Sequence, residues 1–508
     1  MIRLRRALVL WLSAAVLSAP ALATWSIVVV NRATGEVGVA SATCLVNLKL
    51  RRLLAVVAVG RGAGAAQSLI DNSGANRRVI WDGFHAGTVP ERILDLLAGS
   101  DSGHQTRQYG IVSFDGPPVT FTGTMVGKAH FGVTGEVGDL LYAIQGNVLA
   151  GDAVVLAAEQ ALRDEDGDMV ARIMAGMEAA RFYGGDGRCS CSQSTPAGCG
   201  SPPPNFTKSA HTAFIVVARP GDADGVCESG PGCANGKYYL LRESIGVLTD
   251  PDPVLDLQVM VDTWRQKQIG RPDHVLSDVV VDRQQLVADG QSRAGVRILL
   301  RDIEGTPLGH GNDSIRLVRT SPGAPTALVG PVTDHGDGSY SFDLTATTRA
   351  GHGEWNVWVD YSKKVPRLLY PPLTLDTSEV TELHSGVHEY RLSEGGTVPF
   401  TLNLGAGQAG RAYLLLGSTS GTQPGFDLRG LRLPLNPDRF LRFTFLSPNS
   451  PQFSRSAGLL DGDGRAEALL SLAPATWASL VGEQFDFVAF LGGPSPAVTN
   501  VVGFEVVP

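Results

Sequence analysis

The stretch TWSIVVVNRATGEVGVASATC, residues 24–44, contains two runs of apolar and β-branched residues on either side of a short polar segment at Thr34 and Gly35. Valine, isoleucine and threonine favour extended backbone, and glycine allows the chain to reverse its direction. The pattern therefore predicts two neighbouring strands that pair through a turn, with Thr24 at the start of the first strand.

Immediately upstream, residues 1–23 have the three regions of a secretory signal peptide. The basic start MIRLRR precedes the 13-residue apolar run ALVLWLSAAVLSA, and Pro20 leads into Ala21-Leu22-Ala23. This order is typical of an export signal with an A-x-A cleavage site. We expect cleavage between Ala23 and Thr24, which gives a secreted, periplasmic or cell-surface protein. An uncleaved N-terminal anchor is the alternative, and no later apolar run reaches the ~20 residues of a membrane span.

Downstream of the first two strands, predicted strands and helices come in groups as far as about Ile269. The sequence predicts strands at residues 53–60, 108–114, 118–124, 128–134 and 140–147. A helix near Val89–Leu97 lies between the first and the second of these strands. Helices at residues 151–164 and 168–183, strands at 211–218 and 237–244, and a helix at 253–266 follow. This grouping favours an α+β fold in which two antiparallel sheets pack face to face with helices on their outer sides.

Beyond Ile269 the sequence predicts strands without helices, in two all-β modules. Residues 276–377 contain short alternating runs with turn residues at roughly ten-residue intervals, which are typical of a β-sandwich. The segment DGSYSFDLTA within them resembles a strand-turn signature of bacterial immunoglobulin-like domains. Residues 378–508 are again strand-like and glycine-rich. We therefore divide the chain into a signal peptide (1–23), a mixed domain (24–269), an immunoglobulin-like β-sandwich (276–377) and a C-terminal all-β module (378–508).

Five of the six cysteines lie within 45 residues, and the sixth, Cys44, lies far upstream; the five are Cys189, Cys191, Cys199, Cys227 and Cys233. In an exported protein such a cluster predicts disulfides that hold an irregular insertion together. Cys227 and Cys233 would close one loop, and Cys199 could pair with Cys189 or Cys191. One of the five is then free or reaches Cys44. A zinc site at the CxC motif is the competing reading, but we expect no metal and no cofactor.

The composition and the missing motifs narrow the class of function. The net charge of −8 over 508 residues argues against nucleic acid as the main partner. The sequence has no GxSxG, HExxH or phosphate-binding lysine loop. The sequence therefore does not predict a serine hydrolase, a zinc protease or a nucleotide-dependent enzyme of the kinds that these motifs mark.

Cleavage after Ala23 would give Thr24 a chemistry that an internal threonine lacks. A threonine hydroxyl is a weak nucleophile at neutral pH, because its proton must be removed as it attacks. A free α-amine has a pKa near 8 and would lie on the same residue, so it could accept that proton. Removal of the leader would therefore create a nucleophile and its base together.

Several blocks of residues 24–269 resemble the domain-of-unknown-function family 1028. They are TWSIVVVNRATGEVGVASATC, RGAGAAQS, ERILDLL, RQYGIVSFDG, AIQGNVLAG, GGDGR and SAHTAFIVVA, in this order. That family is grouped with the N-terminal-nucleophile hydrolases, which share an αββα four-layer fold. The resemblance therefore implies such a four-layer sandwich and an N-terminal nucleophile.

The resemblance also implies roles for five residues. Thr24 is placed like the nucleophile, and Ser41 like the polar residue that orients its α-amine. Asn147 is our choice for the amide that polarises the scissile carbonyl and holds the oxyanion. Asp186 and Gln67 match family positions that suit amine positioning or substrate recognition.

Together these features predict an exported amidohydrolase that forms an acyl-enzyme on Thr24. The substrate would be a small-molecule or peptide amide, and the two β modules would bind a cell-surface or matrix partner. The alternative is a binding or structural surface protein that keeps the scaffold without turnover. The sequence leaves the substrate and the oligomeric state open.

Overall fold

The computed structural model of the 508-residue chain describes residues 24–288, 290, 292–347, 349–361, 365–378, 382–428, 430–472 and 480–508. The predicted export signal, residues 1–23, lies outside the described residues. Among the described residues, no helix has the length and apolar character needed to cross a membrane.

The N-terminal region alternates groups of strands with groups of helices. Its elements are β1 (Thr24–Asn31), β2 (Glu36–Thr43), α1 (Leu50–Leu54), β3 (Ala55–Ala58), β4 (Gly62–Ser68), α2 (Ala75–His85), α3 (Pro90–Ser100), a 3-10 turn (His104–Thr106), β5 (Arg107–Ser113), β6 (Val119–Thr122), β7 (Phe131–Val137), β8 (Leu140–Asn147), α4 (Ala153–Asp164), α5 (Met169–Phe182), α6 (Gly187–Ser190), β9 (Thr212–Ala218), β10 (Leu240–Ile245) and α7 (Pro253–Gln266).

These strands form two antiparallel sheets. The first has the order β10-β9-β2-β1-β8-β7 and the second has the order β3-β4-β5-β6. Apolar side chains from both sheets share one core, which includes Val28, Val39, Val57 and Val112. Helices α4, α5 and α7 pack on the outer face of the first sheet, and α2 and α3 pack on the outer face of the second.

Strand β1 lies in the middle of the first sheet and is buried on both faces. Trp25, Ile27 and Val29 belong to the core beneath the helices, whereas Val28 and Val30 belong to the core between the sheets. Alternate residues of a strand point to opposite faces, so a nearly unbroken apolar run suits a strand that is covered on both sides. Each such buried side chain contributes about 1.5–3 kcal/mol to folding.

The helix starts were predictable where a capping side chain marks them. Asp168 accepts a hydrogen bond from the Ala171 amide at 2.9 Å and begins α5, as its sequence predicts. Helix α2 was not predicted. Its N-cap is Gly74, which has a φ of 79° and no side chain, and the first helix amides donate instead to the earlier Asp71 and Ser73 side chains.

The middle region is a sandwich of two sheets. Its strands are β11 (Asp278–Val281), β12 (Gln285–Val287), β13 (Arg293–Leu299), β14 (Ser314–Arg319), β15 (Ala327–Val329), β16 (Thr333–Asp334), β17 (Ser339–Ala346), β18 (Gly351–Tyr361) and β19 (Val365–Ser378). One sheet has the order β11-β13-β17-β15, with β16 beside β17, and the other has the order β12-β19-β18-β14. Side chains such as Val296, Phe342, Trp355 and Leu369 fill the space between them.

The C-terminal region is a second sandwich. Its elements are β20 (Leu383–His384), β21 (Glu389–Arg391), β22 (Gly396–Asn403), a 3-10 turn (Ala406–Gln408), β23 (Ala412–Ser418), β24 (Phe426–Leu428), β25 (Leu431–Leu433), α8 (Arg439–Leu446), β26 (Phe453–Ser454), β27 (Ala457–Leu459), β28 (Arg465–Leu472), β29 (Gln484–Leu491), β30 (Ala497–Val498) and β31 (Val502–Val507). Its two main sheets have the orders β20-β22-β28-β26 and β21-β31-β29-β23-β27.

Helix α8 corrects the prediction that the C-terminal module is all-β. The Asp438 carboxylate accepts a hydrogen bond from the Leu441 amide at 2.6 Å and caps the helix. The helix sequence RFLRFTFL is rich in phenylalanine, which also favours strands, so its composition concealed the helix.

A buried ionic cluster joins the N-terminal region to the start of the middle region. The Arg219 guanidinium donates to Glu36 at 2.6 Å and to Asp273 at 2.7 Å, and it lies 3.6 Å above the ring centroid of Tyr239. The positive charge of Arg219 lowers the pKa of Asp273 to about 2, against the opposing effect of burial. The β1–β2 turn also contacts the middle region, because Gly35 lies against the Tyr370 ring.

Asp222 beside this cluster predicts a pH dependence of stability. Burial raises the pKa of Asp222 to about 6, although its carboxylate accepts hydrogen bonds from the Arg219 and Tyr239 amides. The folded protein therefore binds the proton more tightly than the unfolded chain, whose aspartate pKa is about 3.9. The resulting stabilisation is complete below about pH 4 and is lost as the pH rises to about 6.

We expect Asp222→Asn to abolish the decrease in stability between pH 4 and pH 6, because the asparagine side chain does not ionise. Its oxygen can still accept both amide hydrogen bonds. The variant should be about 1–3 kcal/mol more stable than the wild type at pH 7 and equal to it near pH 4. Urea unfolding between pH 4 and pH 7 measures this difference, with the exposed Asp115→Asn as the control. Parallel pH profiles of the wild type and Asp222→Asn would contradict the prediction.

Candidate active site

The core between the two N-terminal sheets changes from apolar to polar toward the first residue of β1. Thr24 and Ser26 lie on the same face of β1 as Val28 and Val30, by strand alternation. Polar residues of the neighbouring and facing strands complete a group that we call the amide–hydroxyl cluster. Its members, each no more than 1% exposed, are Thr24, Ser26, Ser41, Gln67, Gln108, Gln145 and Asn147.

Gln67 connects the second sheet to the first residue of β1. Its Nε2 donates to the Thr24 carbonyl oxygen at 3.1 Å and to Gln108 Oε1 at 2.8 Å. Its Oε1 accepts a hydrogen bond from the Ser26 hydroxyl. The structure therefore brings predicted residue Gln67 directly to Thr24, with both ends of its amide occupied.

The sequence analysis missed Ser26, Gln108 and Gln145 of this cluster, and Gln108 has the most hydrogen bonds of the three. Its Oε1 accepts hydrogen bonds from Gln67 Nε2 and, at 3.1 Å, from Asn147 Nδ2. Its own Nε2 donates to the Thr122 hydroxyl and to the Gly146 carbonyl oxygen, both at 2.9 Å. Gln108 thus fixes the orientation of two other amides. The available signal was strand alternation, which places Gln108 on the same face of β5 as Val112.

Asn147 lies directly opposite Thr24 in the pairing of β1 with β8. Its Nδ2 donates to Gln108 Oε1, and its buried Oδ1 has no hydrogen-bond partner in the described part of the chain. Buried polar atoms normally have partners. Asn147 therefore keeps a buried acceptor oxygen on the residue that is paired with Thr24.

Ser41 lies opposite Ser26, two residues along β1 from Thr24. Its hydroxyl donates to the Trp25 carbonyl oxygen at 2.7 Å, and its oxygen lies 3.0 Å from the Ser26 hydroxyl oxygen. Ser41 therefore holds the backbone that follows Thr24.

Asp186 holds a different part of the same end of the sheet. Its carboxylate accepts hydrogen bonds from the Cys44 amide at 2.7 Å and from the Arg188 amide at 3.1 Å, and it forms an ion pair with the Arg188 guanidinium at 2.8 Å. The side chain of Asp186 is fully buried. It thereby joins α6 to the residue that follows β2.

Every cysteine of the chain is in a disulfide. The pairs are Cys44–Cys189, Cys191–Cys199 and Cys227–Cys233. The Cys44–Cys189 disulfide agrees with the predicted alternative in which one of the five clustered cysteines pairs with Cys44. This disulfide lies beside Asp186. Ligand atoms of Cys44, Cys189 and His211 lie within 4.8 Å of one another. However, the two sulfur atoms are bonded together, so they are not the thiolates that zinc requires.

Gln108→Leu should destabilise the N-terminal region, because it leaves the buried amides of Gln67 and Asn147 without their shared acceptor. Each unsatisfied buried donor costs about 1–3 kcal/mol, so we expect a loss of about 2–4 kcal/mol. The matched control is Gln160→Leu on α4, where the glutamine is exposed and its Nε2 donates to the exposed Asp164 carboxylate. Thermal or urea unfolding measures the stability of both variants. Equal stability losses would contradict the conclusion that the hydrogen bonds of Gln108 stabilise the cluster.

Comparisons with known proteins divide the chain into two matched regions. Residues 24–195 match a family of unknown function, DUF1028, and residues 273–364 match the third domain of invasin. No curated protein matches the chain.

Solved structures with similar regions include a DUF1028 protein from Silicibacter pomeroyi and two bacterial adhesins. The first is 18% identical over 47% of this chain and 85% of its own, with a TM-score of 0.35. Yersinia pseudotuberculosis adhesin InvE is 16% identical over 45% of this chain and 58% of its own, with a TM-score of 0.19. Escherichia coli adhesin FdeC is 11% identical over 79% of this chain and 92% of its own, with a TM-score of 0.21. The chain thus joins a region that matches DUF1028 to a region that matches an immunoglobulin-like domain of invasin.

Proposed function

We propose that this protein is an exported amidohydrolase whose nucleophile is the hydroxyl of Thr24 and whose base is the α-amine that cleavage after Ala23 would expose. The observation that carries this proposal is the position of Thr24, which begins the central strand of a sheet and lies in a buried cluster of amides and hydroxyls. We further propose that the two facing sheets and their outer helices are the αββα sandwich of the N-terminal-nucleophile hydrolases.

The reaction would proceed in two steps. The Thr24 oxygen attacks the carbonyl carbon of an amide and forms a carbon–oxygen bond, while its proton passes to the free α-amine of the same residue. The amine then gives this proton to the leaving nitrogen as the carbon–nitrogen bond breaks. Water, deprotonated by the same amine, hydrolyses the acyl-enzyme and restores the hydroxyl.

The neighbouring residues then have distinct positioning roles. Gln67 holds the Thr24 carbonyl oxygen, and Ser41 holds the next carbonyl along β1. Asn147 offers its Oδ1, an acceptor that suits the N–H groups of an α-amine better than it suits an oxyanion. We therefore assign amine orientation to Asn147, in place of the oxyanion role predicted from the sequence. The Asp186 carboxylate accepts a hydrogen bond from the Cys44 amide, and Cys44 directly follows β2. Asp186 therefore supports the end of that strand.

Thr24 variants test the nucleophile directly. Thr24→Ala should abolish covalent labelling by an electrophilic acylating probe, whereas Thr24→Ser, which keeps a hydroxyl, should retain labelling at a reduced rate. Intact-mass spectrometry of the exported proteins measures both the mature N-terminus and the added acyl group. A mature chain that begins at a residue other than Thr24, or equal labelling of the wild type and Thr24→Ala, would exclude the mechanism.

Asn147→Asp tests the orientation of the α-amine. A carboxylate beside the amine favours the charged ammonium form and should raise the pKa of the amine above its ordinary value near 8. Since the neutral amine is the base, the rise of labelling rate with pH should shift to higher pH by about one unit. Asn147→Ala should lower the rate without this shift. An unchanged pH profile in Asn147→Asp would place Asn147 away from the amine.

A second function is favoured by the match of residues 273–364 to the third domain of invasin. In this reading the chain is a cell-surface binding protein, and its N-terminal region is a scaffold without turnover. Mature protein that begins at Thr24, folds normally and resists every acylating probe would support this reading. Binding of the full mature chain to intact cells, unchanged in Thr24→Ala, would then measure the surface function.

A further inference from the structure

The C-terminal sandwich contains a cavity of about 500 Å³ beside helix α8. Phe440 and Phe443 of the helix form one wall, and Leu470, Leu472 and Phe485 of the sheets form much of the other. Small-molecule sites in proteins typically have ~300–1,000 Å³ and predominantly apolar walls. The size and lining of this cavity therefore suit an apolar ligand.

Arg439 gives the cavity one charged group. It is the first residue of α8, it is exposed, and its guanidinium forms no ion pair with any residue that the structure describes. The nearby Asp438 carboxylate is occupied by the Thr419 amide at 2.7 Å and by the Leu441 amide at 2.6 Å. A positive charge without a partner thus borders an apolar cavity, and this combination complements a ligand with an anionic head and a hydrocarbon tail.

We propose that this cavity binds a single long-chain carboxylate of the fatty-acid class. The hydrocarbon chain lies between α8 and the sheets, where it contacts Phe440, Phe443 and Leu470. The carboxylate lies at the rim and pairs with the Arg439 guanidinium, as charge-assisted hydrogen bonds of this type favour. The site is separate from the amide–hydroxyl cluster and does not depend on the activity proposed there.

Arg439 and Arg442 supply a matched pair of variants. Both are exposed residues of α8 and both line a neighbouring groove with Leu441 and Phe445, but only Arg439 also lines this cavity. The half-buried Leu480 lines the cavity and packs against the core of the sandwich. Its replacement by the larger tryptophan should therefore fill the cavity.

The experiment measures binding of monomeric hexadecanoate and of hexadecanol to the full mature chain by calorimetry. We expect the wild type to bind the carboxylate more tightly than the alcohol. Arg439→Gln should weaken carboxylate binding about tenfold and leave alcohol binding unchanged, since it removes one charged hydrogen bond. Arg442→Gln should bind both ligands like the wild type, and Leu480→Trp should bind neither.

Three results would overturn the proposal. They are wild-type binding in Leu480→Trp, equal weakening by Arg439→Gln and Arg442→Gln, and binding of anionic phosphatidylglycerol vesicles without binding of monomeric hexadecanoate. If Leu480→Trp unfolds, Gln452→Trp at the exposed rim replaces it as the blocking variant. Retained hexadecanoate binding in a folded Gln452→Trp protein would equally count against the cavity.

Discussion

The pairing of β1 on both of its edges is the constraint on which the candidate site depends. Hydrogen bonds to β2 and β8 fix the register, so that Thr24 lies opposite Asn147 and Ser26 lies opposite Ser41. A slip of one residue would place Trp25 between the sheets and Thr24 beneath the helices, because side chains alternate along a strand. The burial of the apolar residues of β1 thus holds a polar residue at its first position.

The two ends of β1 have different neighbours. Its first residue lies in the amide–hydroxyl cluster, whereas the turn after Asn31 lies against Arg219, Glu36 and the middle region. Eight residues of strand span about 23 Å at ~3.3 Å per residue. The contacts of the middle region with the β1–β2 turn therefore lie at the opposite end of β1 from Thr24.

Local features were predictable from the sequence, and long-range pairing was not. The β1–β2 hairpin follows from its composition and its turn, and the start of α5 follows from the capping Asp168. The link between Cys44 and Cys189 spans 145 residues, and the sequence could only leave it as one alternative. Gln108 was missed for the same reason, since its importance comes from the register of β4 and β5 and from the packing of two separate sheets.

The Asn147 side-chain oxygen relates the proposed removal of the signal peptide to the proposed reaction at Thr24. Within the described residues Asn147 Oδ1 is buried and accepts no hydrogen bond, which costs free energy in the folded state. A free amine at Thr24 would bring N–H donors to the residue directly opposite, and each hydrogen bond to a charged ammonium is stronger than one to a neutral donor. In the proposed mechanism, the cleavage that creates the base would therefore also supply a donor for this acceptor.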